Sequence, residues 1–118
     1  PQGKIITIAG TGIAGQSIDG KHATETQLSE WISISVGPDD TLYVVDHGNH
    51  RILLIDDKGV IKIIAGTGNS GFSGDDEIAV NAMLSHPTSL SVDKNNVIYI
   101  ADADNSRIRK LIPISNSQ

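Results

Sequence analysis

GKIITIAGTG at 3–12 and GVIKIIAGTG at 59–68 are two versions of one phrase, and the distance between them decides the fold. Gly10 falls on Gly66, an offset of 56 residues. The same offset continues without a gap, placing Gly15 on Gly71, Asp19 on Asp75, Ala23 on Ala79, Leu28 on Leu84, Val36 on Val92 and Tyr43 on Tyr99. It then places Asp46 on Asp102, Asn49 on Asn105 and Arg51 on Arg107. Similarity held in one register for so long marks a repeat, in which each unit buries its apolar face against a neighbour.

Within each unit the apolar runs are short and separated by turn residues, as in an all-β chain. In the first copy they lie at 32–36, 42–45, 51–55 and 60–65. Gly37, Pro38, Asp39 and Asp40 form one break, and Asp56, Asp57, Lys58 and Gly59 another. Asp93, Lys94, Asn95 and Asn96 form the matching break in the second copy. Tight connections of this kind predict a four-stranded antiparallel meander. The segments 10–31 and 66–87 are Gly-rich at first and then briefly helix-like through ATETQLSE and AVNAMLSH. They read as structured loops that tuck Leu28 and Leu84 into the core.

Composition supports a folded, mainly β chain. Of 118 residues, 38% are hydrophobic, well above a disordered composition, and Ile, Val and Leu dominate. Net charge is -5, with Lys and Arg scattered, so the concentrated positive field that nucleic acid requires is missing. An RNA-binding surface is therefore disfavoured. There is no cysteine, hence no disulfide and no thiolate metal site. No apolar stretch approaches the roughly 20 residues of a membrane-spanning helix. The sequence opens at Pro1 in mid-pattern, without a leader, as a mature, trimmed or excised piece would.

The order IAGTG, GxSxD, AxxxxLS, a strand, and then LYVVDHGNHRI or IYIADADNSRI resembles the NHL repeat family. The resemblance runs from Gly3 to about Ile112, and Pro87 stands where a proline usually precedes the innermost strand. It implies β-propeller blades, most often six to a ring, used as an interaction scaffold. Some members bind RNA or protein, and a relative carries a metal-dependent lyase. Trp31 replaces the proline in the first copy, and its expected role is core or interface packing.

On this reading residues 1–118 are a single repeat unit. Residues 9–65 form blade 1, and 66–112 form blade 2 without its own outermost strand. Residues 3–8 are an outermost strand donated to a neighbouring blade, and 113–118 are a tail. Deficit and surplus match, so the expectation is a head-to-tail homo-oligomer that closes a six-bladed ring as a homotrimer by strand exchange. The rival is a fragment of a longer propeller.

Asp46 with Arg51, and Asp102 with Arg107, bracket the turn between the second and third strands. Pairing with backbone and with each other, they are expected to lock that turn. The same turns carry the candidate ligand-binding residues His47, His50, Asn49 and Asn105. His47 and His50 face Ala103 and Ser106 in the other copy, and His22 faces Ile78. An axial rim of imidazoles would suit a metal-dependent lyase or hydrolase, the alternative function, although no acidic residue stands at a ligand spacing and no metal or cofactor is expected. The GTG and SGDD loops lack the lysine and the spacing of phosphate and calcium sites. Ser17, Ser29, Ser73 and Ser85 have no evident base, so no catalytic set emerges. The expected function is a non-enzymatic scaffold for a protein or peptide ligand.

Overall fold

The computed structural model describes residues 2–113. The tail expected at 113–118 therefore lies, beyond Pro113, outside the described residues. Two antiparallel meanders follow one another. The first has the order β1 (Ile32–Val36), β2 (Leu42–Asp46), β3 (Arg51–Ile55) and β4 (Ile61–Ala65). The second has β5 (Pro87–Val92), β6 (Ile98–Asp102) and β7 (Arg107–Leu111), with no fourth strand among the described residues. The helix-like stretches shrink to single 3₁₀ turns, Ala23–Glu25 and Ala79–Asn81.

Turn chemistry explains the tight connections. Asp56 Oδ1 accepts hydrogen bonds from the Lys58 and Val60 N–H groups, both at 2.9 Å, before Gly59 turns at φ +81°. Asp93 does the same for Asn95 at 2.8 Å and Val97 at 3.1 Å. Such side chains replace the backbone partner that a turn lacks.

Alternation along the strands builds two cores. Tyr43, Val45, Ile52 and Ala65 of blade 1 pack against Leu84, Ile98 and Ile100 of blade 2. The opposite face of blade 1 gathers Val44, Leu53, Ile55 and Ile61 under Ala23, with Leu28 and Ala9 at its margin. Strand β2 is accordingly buried on both faces from Tyr43 to Asp46, whereas β6 alternates, with Ile98 and Ile100 buried and Tyr99 exposed. The innermost strands lie side by side, and Ser33 Oγ donates to the Thr88 carbonyl at 2.9 Å. Residues 3–9 take no part in either sheet.

Candidate functional site

The turn between β2 and β3 is built around a buried carboxylate. Asp46 is fully buried; its Oδ1 accepts the Ser29 N–H at 3.0 Å, and its Oδ2 accepts Asn49 Nδ2 at 2.9 Å. Asn49 spends its other amide proton on the Gly15 carbonyl, at 2.7 Å. A 3₁₀ turn, His47–Asn49, fits between them, and His50 closes it in the left-handed region at φ 56°. Blade 2 repeats the arrangement with Asp102, Ser85, Asn105 and Gly71 at 2.8 to 2.9 Å, and Ser106 closes it at φ 52°. Each clasp ties the long loop to the turn. The asparagines offered as ligand contacts are thus engaged inside the fold, and Asn49 is buried.

The arginines depart from the expected pairing. Arg51 lies opposite Asp46 in the ladder but makes no ion pair with it; its Nη1 donates to the Ser17 carbonyl at 3.3 Å. Arg107 leaves the turn, donates to the Asn105 carbonyl at 3.4 Å and covers the Phe72 ring at 4.0 Å. The guanidinium that meets Asp102 belongs to Arg109, at 2.9 Å. Arg109 also reaches Asp75 at 2.9 Å, the Met83 carbonyl at 3.1 Å and the Ser73 carbonyl at 2.8 Å. Ser73 matches Ser17, so Arg109 takes over in blade 2 the contact that Arg51 makes in blade 1. The position of Arg109 is Leu53 in the first copy, where a buried aliphatic side chain leaves the aspartate to its amide partners.

The histidines gather at the seam between the blades. His47 Nδ1 lies 3.0 Å from the Pro87 carbonyl, which can only accept, so that nitrogen carries the proton. His50 Nδ1 accepts the His86 N–H at 3.0 Å, which puts the proton of neutral His50 on Nε2. Burial, then the neighbouring His86 and His47, hold the pKa of His50 below the ordinary histidine value, against weaker pulls from Asp104 and Asp46. His86 pairs with Asp104 at 2.7 Å and meets the His50 ring edge-on at 4.3 Å. Trp31 stacks on His47 at 3.8 Å and stays 55% exposed, so of the core or interface packing expected of it the core is excluded.

Sequence reasoning grouped His22 with these side chains and overlooked His86. His22 sits at the other end of the strands, against Gly59, with Nδ1 2.9 Å from Thr24 Oγ1. The loop carries it there because residues 18–23 run alongside β4 instead of staying on one face. His86 precedes Pro87 and matches Glu30, a difference between copies that the same alignment holds. Among the described residues no three His, Asp or Glu side chains converge as metal ligands, so the metal-dependent lyase or hydrolase reading gains no support. Ser85 Oγ and Asp104 both approach Nδ1 of His86, at 3.5 and 2.7 Å. A proton relay needs them on opposite nitrogens.

The family model described as NHL repeat matches residues 84–111, from Leu84 through β5, β6 and β7. This is an NHL-repeat chain. It is 34% identical over 87 residues to the Arabidopsis thaliana chloroplastic protein SUPPRESSOR OF QUENCHING 1, covering 72% of this chain and 8% of that protein. To human NHL repeat-containing protein 2 it is 36% identical over 72 residues, covering 61% of this chain and 10% of the relative. Among solved structures, an auxiliary nutrient binding protein from Bacteroides thetaiotaomicron superposes with a TM-score of 0.69 at 25% identity, over 87% of this chain and 27% of that one. The NHL-repeat chain thus spans a tenth or less of these curated relatives, and about a quarter of the solved neighbour. Its two antiparallel sheets, of four and three strands, have structural neighbours of the propeller type.

Proposed function

We propose that this NHL-repeat chain is a non-enzymatic interaction scaffold whose two blades are completed head to tail by further copies of the chain, three of them closing a six-bladed ring. One observation carries this reading. Ile52 and Ile108 occupy the same position in the two copies, yet Ile52 is fully buried and Ile108 is 77% exposed. The difference is the next blade, which covers Ile52 and leaves Ile108 open. Tyr43 and Tyr99 repeat the contrast on the neighbouring strand. The reciprocal surface lies on β1, where Ile34 and Val36 are exposed. Their counterparts Leu90 and Val92 pack against the shared core. One chain therefore offers both halves of an interblade contact, and such contacts close into rings when the rotation permits.

The loop-rich face around the turns at 46–50 and 102–106 is the docking surface for a protein or peptide partner. Its exposed aromatic residue, Trp31, provides the kind of anchor on which binding energy concentrates. The solved neighbour's description as a nutrient binding protein fits a binding role better than a catalytic one. Light scattering at micromolar concentration tests the assembly: three chains of 12.5 kDa give about 37 kDa. A monomer mass refutes the ring.

A further inference from the structure

Three side-chain hydrogen bonds cross from blade 1 to blade 2 among the described residues. Ser33 Oγ donates to the Thr88 carbonyl and His47 Nδ1 to the Pro87 carbonyl, so neither bond is lost when a proton arrives. In the third the direction is reversed. His50 Nδ1 accepts the His86 N–H at 3.0 Å, and an imidazolium has no acceptor left. We infer that the histidine seam is a proton-operated latch between the two blades, in which a proton on His50 Nδ1 releases the turn 47–50 from the start of β5.

The surroundings of His50 decide when the latch acts. Its own turn brings Asp46 and His47 towards it, the start of β5 brings His86, and the turn 103–105 brings Asp104. The loop that meets its carbonyl, 66–73, holds no ionisable side chain, and the Arg51 guanidinium turns away to the Ser17 carbonyl. Neither carboxylate is free: Asp46 is held by Ser29 and Asn49, and Asp104 by His86 at 2.7 Å. A charge on His50 would lie edge-on to the His86 ring at 4.3 Å, with its new N–H aimed at another donor. The backbone offers no relief, because it is closed at φ 56° with the His50 N–H spent on the His47 carbonyl at 3.3 Å. Burial first, and then His86 and His47, hold the His50 pKa below the ordinary histidine value. The latch is therefore shut at neutral pH and opens in acid.

Comparison of the copies separates the latch from the architecture of the turn. The clasps Asp46–Asn49 and Asp102–Asn105 recur in both blades. The imidazoles do not: Glu30 matches His86, Ala103 matches His47 and Ser106 matches His50. The chain thus builds the turn the same way twice and adds titratable contacts at the seam between blade 1 and blade 2. Trp31 goes with blade 1, since its carbonyl accepts the His47 N–H at 3.1 Å and its ring stacks on His47. Release parts this stack from the His86 ring, 4.9 Å from that of His47, and alters the surface the two blades share.

Nuclear magnetic resonance of the 15N-labelled chain tests the latch. At pH 7.5 long-range proton–nitrogen spectra are expected to show opposite tautomers, with the proton on Nε2 of His50 and on Nδ1 of His47. Between pH 7.5 and 5.5 the His86 amide is expected to lose protection from hydrogen exchange, by about tenfold per pH unit below the His50 midpoint once the intrinsic rate is corrected for. Amides of β2 and β3 are expected to keep theirs. Asparagine places Oδ1 where histidine has Nδ1 and tolerates the left-handed backbone at this position, so His50→Asn retains an acceptor that does not titrate. Its His86 amide is expected to stay protected throughout. A proton on Nδ1 of His50 at pH 7.5, a His86 amide indifferent to pH, or an equal loss in His50→Asn overturns the latch. So does simultaneous loss in β2 and β3, which marks unfolding of the blade and not release of the seam.

Discussion

Exchanging Asp102 for asparagine preserves the shape of the side chain and turns one acceptor into a donor. Its carbonyl oxygen can still receive the Ser85 N–H, but the new amide then points at Asn105 Nδ2 and Arg109 Nη1, two donors that now find a third. The same exchange at Asp46 disturbs only the bond from Asn49, because Leu53 replaces the arginine. Losing one hydrogen bond to a charged acceptor costs about 1–3 kcal/mol, the cost expected for Asp46→Asn. Stranding a buried guanidinium costs about 3–5 kcal/mol, the cost expected for Asp102→Asn. The lower end applies, since the exposed Asp75 still compensates part of the Arg109 charge. Arg109→Leu copies the first blade's solution and removes the stranded cation, so in the Asp102→Asn background it is expected to recover about 1–3 kcal/mol. Urea unfolding followed by far-UV circular dichroism, at one fixed protein concentration, measures all four proteins. Equal losses for Asp46→Asn and Asp102→Asn, or no recovery by Arg109→Leu, would show that the pair does not stabilise blade 2 as argued.

Three further outcomes are expected. Ile108→Asp places a charge on a residue that is 77% exposed in the single chain, so circular dichroism should not change while light scattering falls to the monomer mass; an unchanged assembly would remove that face from the interface. Stability should decline as pH falls below about 6.5, because the folded state holds the His50 pKa below its unfolded value, so the neutral form's contribution is complete above the unfolded pKa and lost through the folded one. Melting temperatures between pH 7.5 and 5.5 should show this loss diminished in His50→Asn, and an identical slope in both proteins would exclude His50 as its source. Gly66 and Gly12 both turn at positive φ, at 94° and 93°, but a Cβ at Gly66 runs into the His50 carbonyl whereas one at Gly12 meets open space. Gly66→Ala should therefore cost about 1–3 kcal/mol more than Gly12→Ala by thermal denaturation, and equal costs would refute the clash.

Much of this molecule was legible in the linear sequence because its repeat is covalent information. A constant register fixes which residues are equivalent, period-two alternation fixes which strand face is apolar, and Asp, Asn and Gly fix where the chain turns. Strand bounds followed to within a residue: Asp46 was added to the second strand, and Val60 fell outside the fourth. Side-chain partnership was another matter. Sequence proximity suggested Asp46 with Arg51 and Asp102 with Arg107, yet two residues facing each other across a ladder need not meet when one is buried and already satisfied. Arg109 reached Asp102 from two residues further along, on the face where the first copy keeps a leucine. The histidine seam was likewise out of reach, since His47 and His50 meet His86 only because two innermost strands lie side by side. The sequence by itself determined the repeat, the strands and their turns, for these depend on local pattern. Only tertiary structure decided which buried charges pair, which imidazoles touch and which of two equivalent faces is covered, for those depend on what the next blade brings against them.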